Sequence, residues 1–326
     1  MPRFTLLVFA LIALSACAGL PSARYTQAEY DHFLADLRVE ISAKGLSLAQ
    51  FQAGHGELIP DQKVLSLLEN QPEFKSTFAG YTGKMLSDTR IQRGREYATQ
   101  YKAELAKVSA ETGVPAEVIL ALWGIETSFG RITGSNSVIR SLSTLAFASH
   151  RKEFYRKELF NALQILQEGH ITPEAMKGSW AGAMGQCQFM PSSFLTFATD
   201  GDGDGHKDIW QNTSDVFASI ANYLKKSQWK PGQPWRIEVP RQEVGVRLSA
   251  RGLSERQPHS TWVNEGLIQP ENWPHGASQA RLFMPEDSDK AWLVFDNFDV
   301  IMKWNKSSYF AFSALALADS IRGEGV

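Results

Sequence analysis

Ile119-Leu120-Ala121-Leu122-Trp123-Gly124-Ile125-Glu126 places one carboxylate on the same helical stripe as Ile119, Leu122 and Trp123, which precede it by seven, four and three residues. Any fold this chain adopts has to bury that stripe, and with it the Glu126 side chain. The segment starts at Pro115, a favoured first-turn residue, and Glu126 falls in the last turn before Gly130. There the negative end of the helix dipole disfavours a second negative charge. Burial and dipole act in one direction, toward a raised pKa and a carboxylic acid still protonated near neutral pH, as a general acid must be. Pairing with a nearby guanidinium, such as Arg131 or Arg140, is the alternative this segment leaves open.

Helical spacing recurs elsewhere. Thr26-Gln27-Ala28-Glu29 has the capping-box form, and Tyr30, Phe33, Leu34, Leu37 and Ile41 follow at steps of three and four until Gly45. A second helix is predicted from about Thr89 to Thr112, with Tyr97, Tyr101, Leu105 and Val108 on one face and Gly113 as its stop. Val216, Phe217, Ile220, Tyr223 and Leu224 mark a helix over Thr213 to Lys226, and an Ala- and Leu-rich run marks a last one over Ser307 to Ile321. Between these two the character changes. Trp235 to Pro240, Val244 to Leu248 and Ala291 to Val300 are β-branched or aromatic stretches separated by Gly, Pro and Ser clusters, which predicts a small β subdomain inserted into a helical protein.

With 326 residues, 43% of them hydrophobic, the chain can bury a sizeable core, and the usual length prior suggests about two domains. Lys and Arg number 33 against 35 Asp and Glu, so no broad cationic face is implied and nucleic acid is not an expected partner. At the N-terminus, Met1-Pro2-Arg3 precedes an apolar run from Phe4 to Ala13 that is too short to span a bilayer and reads as a secretion signal. It ends in Leu14-Ser15-Ala16-Cys17, which resembles the bacterial lipobox. The expectation is cleavage after residue 16, acylation of Cys17, and a protein tethered to the periplasmic face of the outer membrane, the sorting that Ala18 favours. The only other cysteine is Cys187, so with Cys17 acylated the fold must stand without an intramolecular disulfide.

Two further clusters carry chemistry. From Gly178 to Phe194, glycines at 178, 182 and 185 let backbone approach a ligand, Ser179 and Gln188 offer directional hydrogen bonds, and aromatic rings interleave. Polar donors among aromatic faces suit a sugar, and a tight structural turn is the plainer reading of the same composition. Asp200-Gly201-Asp202-Gly203-Asp204-Gly205-His206 sets carboxylates at positions 1, 3 and 5 and glycine at position 6 of an EF-hand-like loop, which fits calcium as a structural brace. Position 12 is Gln211 where an EF-hand has Glu, so another group must complete the ring, and Asp215 is the nearest candidate.

Taken together, Trp123-Gly124-Ile125-Glu126-Thr127, Gly182-Ala183-Met184-Gly185 through Gln188-Phe189-Met190-Pro191-Ser192-Ser193, the Asp-rich loop ending in Trp210, and Asn305-Lys306-Ser307-Ser308-Tyr309-Phe310 resemble the membrane-bound lytic murein transglycosylases of the B type. The motifs occur in the family's order, and the likeness runs from about Tyr25 to the C-terminus. It implies a lysozyme-like helical core with flanking N-terminal helices and the small β insertion, a mainly α (α+β) fold. It implies Glu126 as the catalytic acid/base, a glycan groove lined by Ser179, Gln188, Phe189, Tyr223, Asn305 and Phe310, and calcium held by Asp200, Asp202, Asp204, Asp215 and the backbone carbonyl of His206. His150-Arg151 stands where the family has a basic pair facing the substrate, so Arg151, and more weakly His150, joins the groove. Cys187 departs from the pattern at a place where glycine is expected, which predicts a narrowed groove or an oxidisable thiol beside the site.

The organisation that follows is a signal peptide over 1–16, a tether and helical region over 17–112, a catalytic core with the calcium loop over 113–228, the β subdomain over 229–300, and a C-terminal helix returning to the core over 301–326. Only one carboxylate sits in a convincing site, whereas ordinary glycoside hydrolases use two. A lytic transglycosylase needs one, because the sugar's own C6 hydroxyl replaces water, and it requires no cofactor for the chemistry. Peptidoglycan glycan strands are the expected partner. A lysozyme-like hydrolase and a non-catalytic peptidoglycan-binding lipoprotein are the rivals, separated by anhydro ends in the products and by the presence of any cleavage.

Overall fold

The computed structural model describes residues 25–69 and 76–324; Cys17, the expected lipidation site, lies outside them. Fourteen α-helices dominate the described residues: α1 (Gln27–Ala43), α2 (Leu48–His55), α3 (Gln62–Glu69), α4 (Phe78–Met85), α5 (Asp88–Gln100), α6 (Lys102–Thr112), α7 (Ala116–Thr127), α8 (Val138–Ala148), α9 (Lys152–Gln167), α10 (Pro191–Phe197), α11 (Thr213–Lys226), α12 (His259–Asn264), α13 (Asp296–Trp304) and α14 (Ser308–Arg322). The strands are β1 (Asn136–Ser137), β2 (Lys177–Gly178), β3 (Arg236–Val239), β4 (Gln257–Pro258), β5 (Gln279–Phe283) and β6 (Ala291–Val294). The class is mainly α with small antiparallel sheets, as expected.

Local chemistry explains the helix ends. Thr26 and Glu29 form the predicted capping box, and α1 buries Tyr30, Leu34, Leu37 and Ile41. α7 buries Val118 to Gly124 continuously, and α14 is buried from Ser308 to Ile321. Helices apolar all round belong at the centre of a core, and these two pack on each other there. α5 and α6 also pack on α7. The single helix predicted over 89–112 is two, divided at Tyr101, which leaves helical geometry at φ −102°, ψ 23°. The break lets Tyr97 and Tyr101 both pack on Trp123, with ring centroids 5.0 and 6.1 Å away, while Tyr101 also meets Phe217 edge-on. Among the described residues no single helix is long and apolar enough to cross a membrane.

The four-stranded sheet runs β3-β6-β5-β4, all antiparallel, with Arg236 opposite Val294 and Leu282 opposite Leu293. Strand periodicity places successive β6 side chains on opposite faces: Trp292 and Val294 join the main core, Ala291 and Leu293 a second, smaller one with Val239, Trp262 and Leu282. The sheet is thereby buried on both faces and welds the inserted segment to the helical body. Two predicted strands need correction. Val244 to Leu248 forms no strand: its alternating side chains do pack against the small core, but the Gly245 N–H goes to the Glu265 carboxylate instead of a ladder. Ala291 to Val300 is a strand only to Val294; acidic Asp296 and Asp299 then open α13, where arginines 256 and 281 pair with them.

Candidate active site

Glu126 lies in the last turn of α7, next to a chain reversal that passes through three consecutive left-handed residues, Ser128 (φ 51°), Phe129 (φ 60°) and Gly130 (φ 76°). The reversal is stabilised from inside. The Phe129 N–H reaches back to the Trp123 carbonyl, and its ring packs on Tyr97 and Trp123 at 5.1 and 5.4 Å. Gly124 permits this: a Cβ there would stand 2.7 Å from the Phe129 ring. Thr127 ties the same turn to the next motif, donating to the Gln186 carbonyl and accepting from the Gly130 N–H.

The Glu126 carboxyl meets the Trp304 indole, whose Nε1–H donates to Oε1 at 2.7 Å. Burial pushes its pKa up to about 7, and the Trp304 hydrogen bond, which favours the ionised form, opposes this with less effect. No guanidinium neutralises it among the described residues. Arg140 pairs with Glu57, and Arg131 is exposed. The ion-pair alternative is therefore not what the chain builds.

Around Trp304 the rings of Phe189 and Tyr223 gather, at 5.3 and 4.7 Å from the indole and 5.9 Å from each other. The Tyr223 hydroxyl donates to the Lys303 carbonyl, which fixes the ring beside α13. Phe189 is positioned by a backbone exchange with Met184 across the glycine-rich turn. Within that turn the Ser179 hydroxyl accepts from the Ala183 N–H, and the Gln188 amide donates to the carbonyls of Thr133 and Gly185. Part of the polarity read as sugar-binding is thus spent on holding the loop. Asn305 is exposed directly after Trp304, where its side-chain oxygen accepts from the Ser307 N–H. Phe310, by contrast, is 4% exposed and belongs to the main core, as a helix buried all round demands. Arg151 is exposed and lies over the Phe154 ring at 4.0 Å; His150 beside it is exposed too. No contact joins that pair to the group around Glu126 among the described residues.

Cys187 corrects its expectation. It is fully buried, its thiol donates to the Val216 carbonyl of α11 at 3.7 Å, and burial raises its pKa well above the ordinary value. The side chain turns into the core, so it neither narrows a groove nor offers a thiol for oxidation.

Several contributors were not legible from spacing. Trp304 lies 178 positions from the carboxyl it contacts, and its only signal was adjacency to Asn305. Gln186 accepts from the Trp123 indole and donates to the Trp210 carbonyl, linking α7 to the acidic loop. Glu158, a carboxylate that could have competed for a catalytic role, is 3% exposed and caps α10 by accepting from the Ser192 N–H and hydroxyl. Glu153 is exposed in the first turn of α9.

In the acidic loop, one oxygen each from Asp200, Asp202 and Asp204 converge within 4.8 Å of one another, a hard-oxygen set of the kind calcium takes. Asp200 accepts from the N–H groups of Gly203 and Gly205, and these bonds, the Gly205 one most, hold its pKa down. Asp215 stands apart: it is buried, and its two oxygens accept from the Gly201 and Asp208 N–H groups. It pins both ends of the loop to α11. His206 is exposed, with its N–H on Asp204.

The profile of the transglycosylase SLT domain matches residues 29–319. Membrane-bound lytic murein transglycosylase B of Escherichia coli (strain K12) is 31% identical over 279 residues, covering 79% of this chain and 73% of that protein. The crystal structure of SltB3 from Pseudomonas aeruginosa in complex with NAG-NAM-pentapeptide superposes with a TM-score of 0.83 at 38% identity, covering 91% of this chain and 80% of that one. The Escherichia coli lytic transglycosylase Slt35 in complex with calcium superposes with a TM-score of 0.78 at 28% identity, covering 90% and 92%.

Proposed function

The chain belongs to the transglycosylase SLT domain family and is a lytic transglycosylase with a lysozyme-like core, and from that premise we propose that Glu126 alone supplies the acid and the base that cut peptidoglycan glycan strands. The observation that carries this is a half-buried carboxyl group, desolvated by its neighbours to a pKa of about 7, with one oxygen held by the Trp304 indole. A hydrogen-bond donor on Oε1 leaves Oε2 to carry the proton. That proton goes to the glycosidic oxygen between N-acetylmuramic acid and N-acetylglucosamine, the C1–O bond breaks, and the N-acetylglucosamine end leaves as an alcohol. The substrate's N-acetyl group can help stabilise the cationic C1. Glu126, now a carboxylate, takes the proton from the C6 hydroxyl as that oxygen closes on C1, giving a 1,6-anhydro ring and restoring the acid. The attacking hydroxyl is already held by the bound sugar, so proximity does work that a second carboxylate does elsewhere.

Tyr223 and Trp304, half-buried over the Phe189 ring that backs them from the core, supply the apolar wall on which sugar C–H faces pack, while Ser179, Gln188 and Asn305 offer polar groups at its rim. Phe310 supports this wall from the core, and Arg151 extends the groove. Calcium, held by Asp200, Asp202 and Asp204 with the His206 carbonyl, braces the loop that Asp215 ties to α11, the helix carrying Tyr223; the convergent oxygens support this. The five-part division of the chain and the Cys17 anchor in the outer membrane are proposed on the sequence pattern. Cys17→Ala should release the protein from membranes while leaving its activity on isolated sacculi intact, and unchanged membrane association would refute the anchor.

Glu126→Gln tests the central reading. It keeps shape and accepts the Trp304 hydrogen bond but carries no titrating proton, so glycan binding should persist while turnover falls by at least about 10⁴-fold, the upper range for general acid–base catalysis. Mass spectrometry of wild-type digests should show anhydro-muramyl ends. A variant with near-normal rates would move catalysis to another group.

A further inference from the structure

The closing turns of α4 and α7 leave carbonyl lone pairs that the helices themselves do not fill. One side chain serves both. Arg90, in the first turn of α5, donates from Nη1 to the Lys84 and Met85 carbonyls at 2.8 and 2.6 Å and from Nε to the Gly124 carbonyl at 3.2 Å. We propose that Arg90 is a positioning residue for the reaction: by bracketing these three carbonyls it fixes the last turn of α7, and so holds the Glu126 carboxyl at hydrogen-bond distance from the Trp304 indole. The inference rests on the reading of Glu126 above.

Arg90 is itself held. Four and five residues further on, α5 is seated on α14: a Cβ on Gly94 would stand 2.5 Å from Ile321 Cδ1, and Arg95 donates to the Ser320 carbonyl at 2.7 Å. The helices α4, α7 and α13 pack on this same α14. The distance between Glu126 on α7 and Trp304 on α13 therefore depends on how each is fixed against α14. The Gly124 carbonyl also accepts from the Ser128 N–H at 3.1 Å, so one oxygen joins Arg90 to the chain reversal that follows Glu126. A guanidinium presents its donors in a rigid fork that fixes three acceptors at once, whereas an ammonium is a point charge on a flexible stem.

Position matters here because one carboxyl has to reach two oxygens in turn, and a displacement of about 1 Å costs on the order of 10²-fold in rate. Desolvation and the Trp304 bond set the Glu126 pKa, and the Arg90 charge has no part in it, so Arg90 acts by placement. Tyr81 from α4 and the Cys187 thiol from the glycine-rich turn stand within electrostatic reach of Glu126, and Tyr223 from α11 lies against Trp304. Burial raises the pKa of all three, so they stay neutral while Glu126 titrates. Arg251 reaches Tyr81 but not Glu126.

The test uses Arg90→Ala and the charge-keeping Arg90→Lys, with activity on sacculi read per folded molecule well below the melting temperature. In Arg90→Ala, kcat should fall about 10–10²-fold while KM stays within about twofold, since Arg90 touches no groove residue. Methylguanidinium, entering the cavity of about 100 Å³ that Arg90 shares with Ser87 and Ser128, should restore part of the loss. In Arg90→Lys the Trp304 bond is loosened, which disfavours the ionised form, so the alkaline limb of kcat/KM should move up by about half to one unit. Added to Trp304→Phe, where that bond is already gone, Arg90→Lys should move the limb no further. The same midpoint is read without turnover from the Trp304 indole N–H resonance, which follows the Glu126 titration and is identified by its loss in Trp304→Phe. A lowered melting temperature with kcat and both midpoints unchanged would make Arg90 a structural tie and overturn the proposal, and so would a further shift in the double variant. Where Arg90→Ala does not fold, Arg90→Lys carries the test. Near-normal rates in Glu126→Gln would refute the catalytic reading instead, and Arg90 is then judged by the indole resonance alone.

Discussion

A buried acid that serves catalysis should weaken the fold that carries it. In the native protein Glu126 titrates at about 7, against an ordinary value of 4.5. The folded state thus holds the proton more tightly than the unfolded chain. Stability from this group is fully present below the ordinary value and is lost as pH rises toward and through about 7. At about 1.4 kcal/mol per pKa unit, the loss on going from acid to mildly alkaline solution is about 3 kcal/mol. Glu126→Gln removes the titration while keeping the shape and the bond from Trp304. The variant should therefore match the wild type near pH 4.5 and exceed it by about 3 kcal/mol at pH 8, which for a chain of this size is roughly 4–5 °C in melting temperature. Paired thermal denaturation of the two proteins at both pH values isolates the effect, since every other titrating group cancels. An equal difference in Tm at pH 4.5 and pH 8 would refute the claim that burial raises this pKa.

Trp304→Phe removes the donor that favours the ionised form, so the Glu126 pKa should rise by about one to two units, the alkaline limb of kcat/KM should move up with it, and the maximum should fall; a limb left near pH 7 contradicts this. Gly124→Ala drives a methyl into the Phe129 ring and should cost about 1–3 kcal/mol by thermal or urea denaturation, part of it recovered by adding Phe129→Leu. Calcium should raise the melting temperature of the wild type and not of Asp200→Ala, with magnesium doing much less; a chelated wild type that ignores calcium would make the loop a solvated acidic turn and not a calcium site.

Much of this was legible because it is local. The α1 capping box, the Gly113 stop, the apolar stripe ending in Glu126 and the alternating aspartates are patterns within a few residues, and each reads directly into geometry. What escaped depends on distant partners. Tyr101 breaks a helix because Trp123 and Phe217 receive its ring, and no spacing in the 89–112 run records that. The 244–248 stretch alternates like a strand but loses its N–H to Glu265. Cys187 sits where a side chain should have entered the groove, yet the left-handed Gln188 and the Met184–Phe189 exchange turn it inward. Glu126 itself was found from its stripe, whereas its partner Trp304 comes from the far end of the inserted sheet. In Asp296-Asn297-Phe298-Asp299, acidic residues typical of a first helical turn lie among β-branched residues that read as strand.

The most direct measurement is digestion of purified sacculi in ¹⁸O-labelled water, with mass spectrometry of the released muropeptides. If Glu126 draws its second proton from the C6 hydroxyl, the new muramyl ends are anhydro, lighter by one water than hydrolytic ends, and carry no label. Incorporation of one ¹⁸O atom per cut, at reducing ends, would mean that water attacks C1 and would contradict the mechanism.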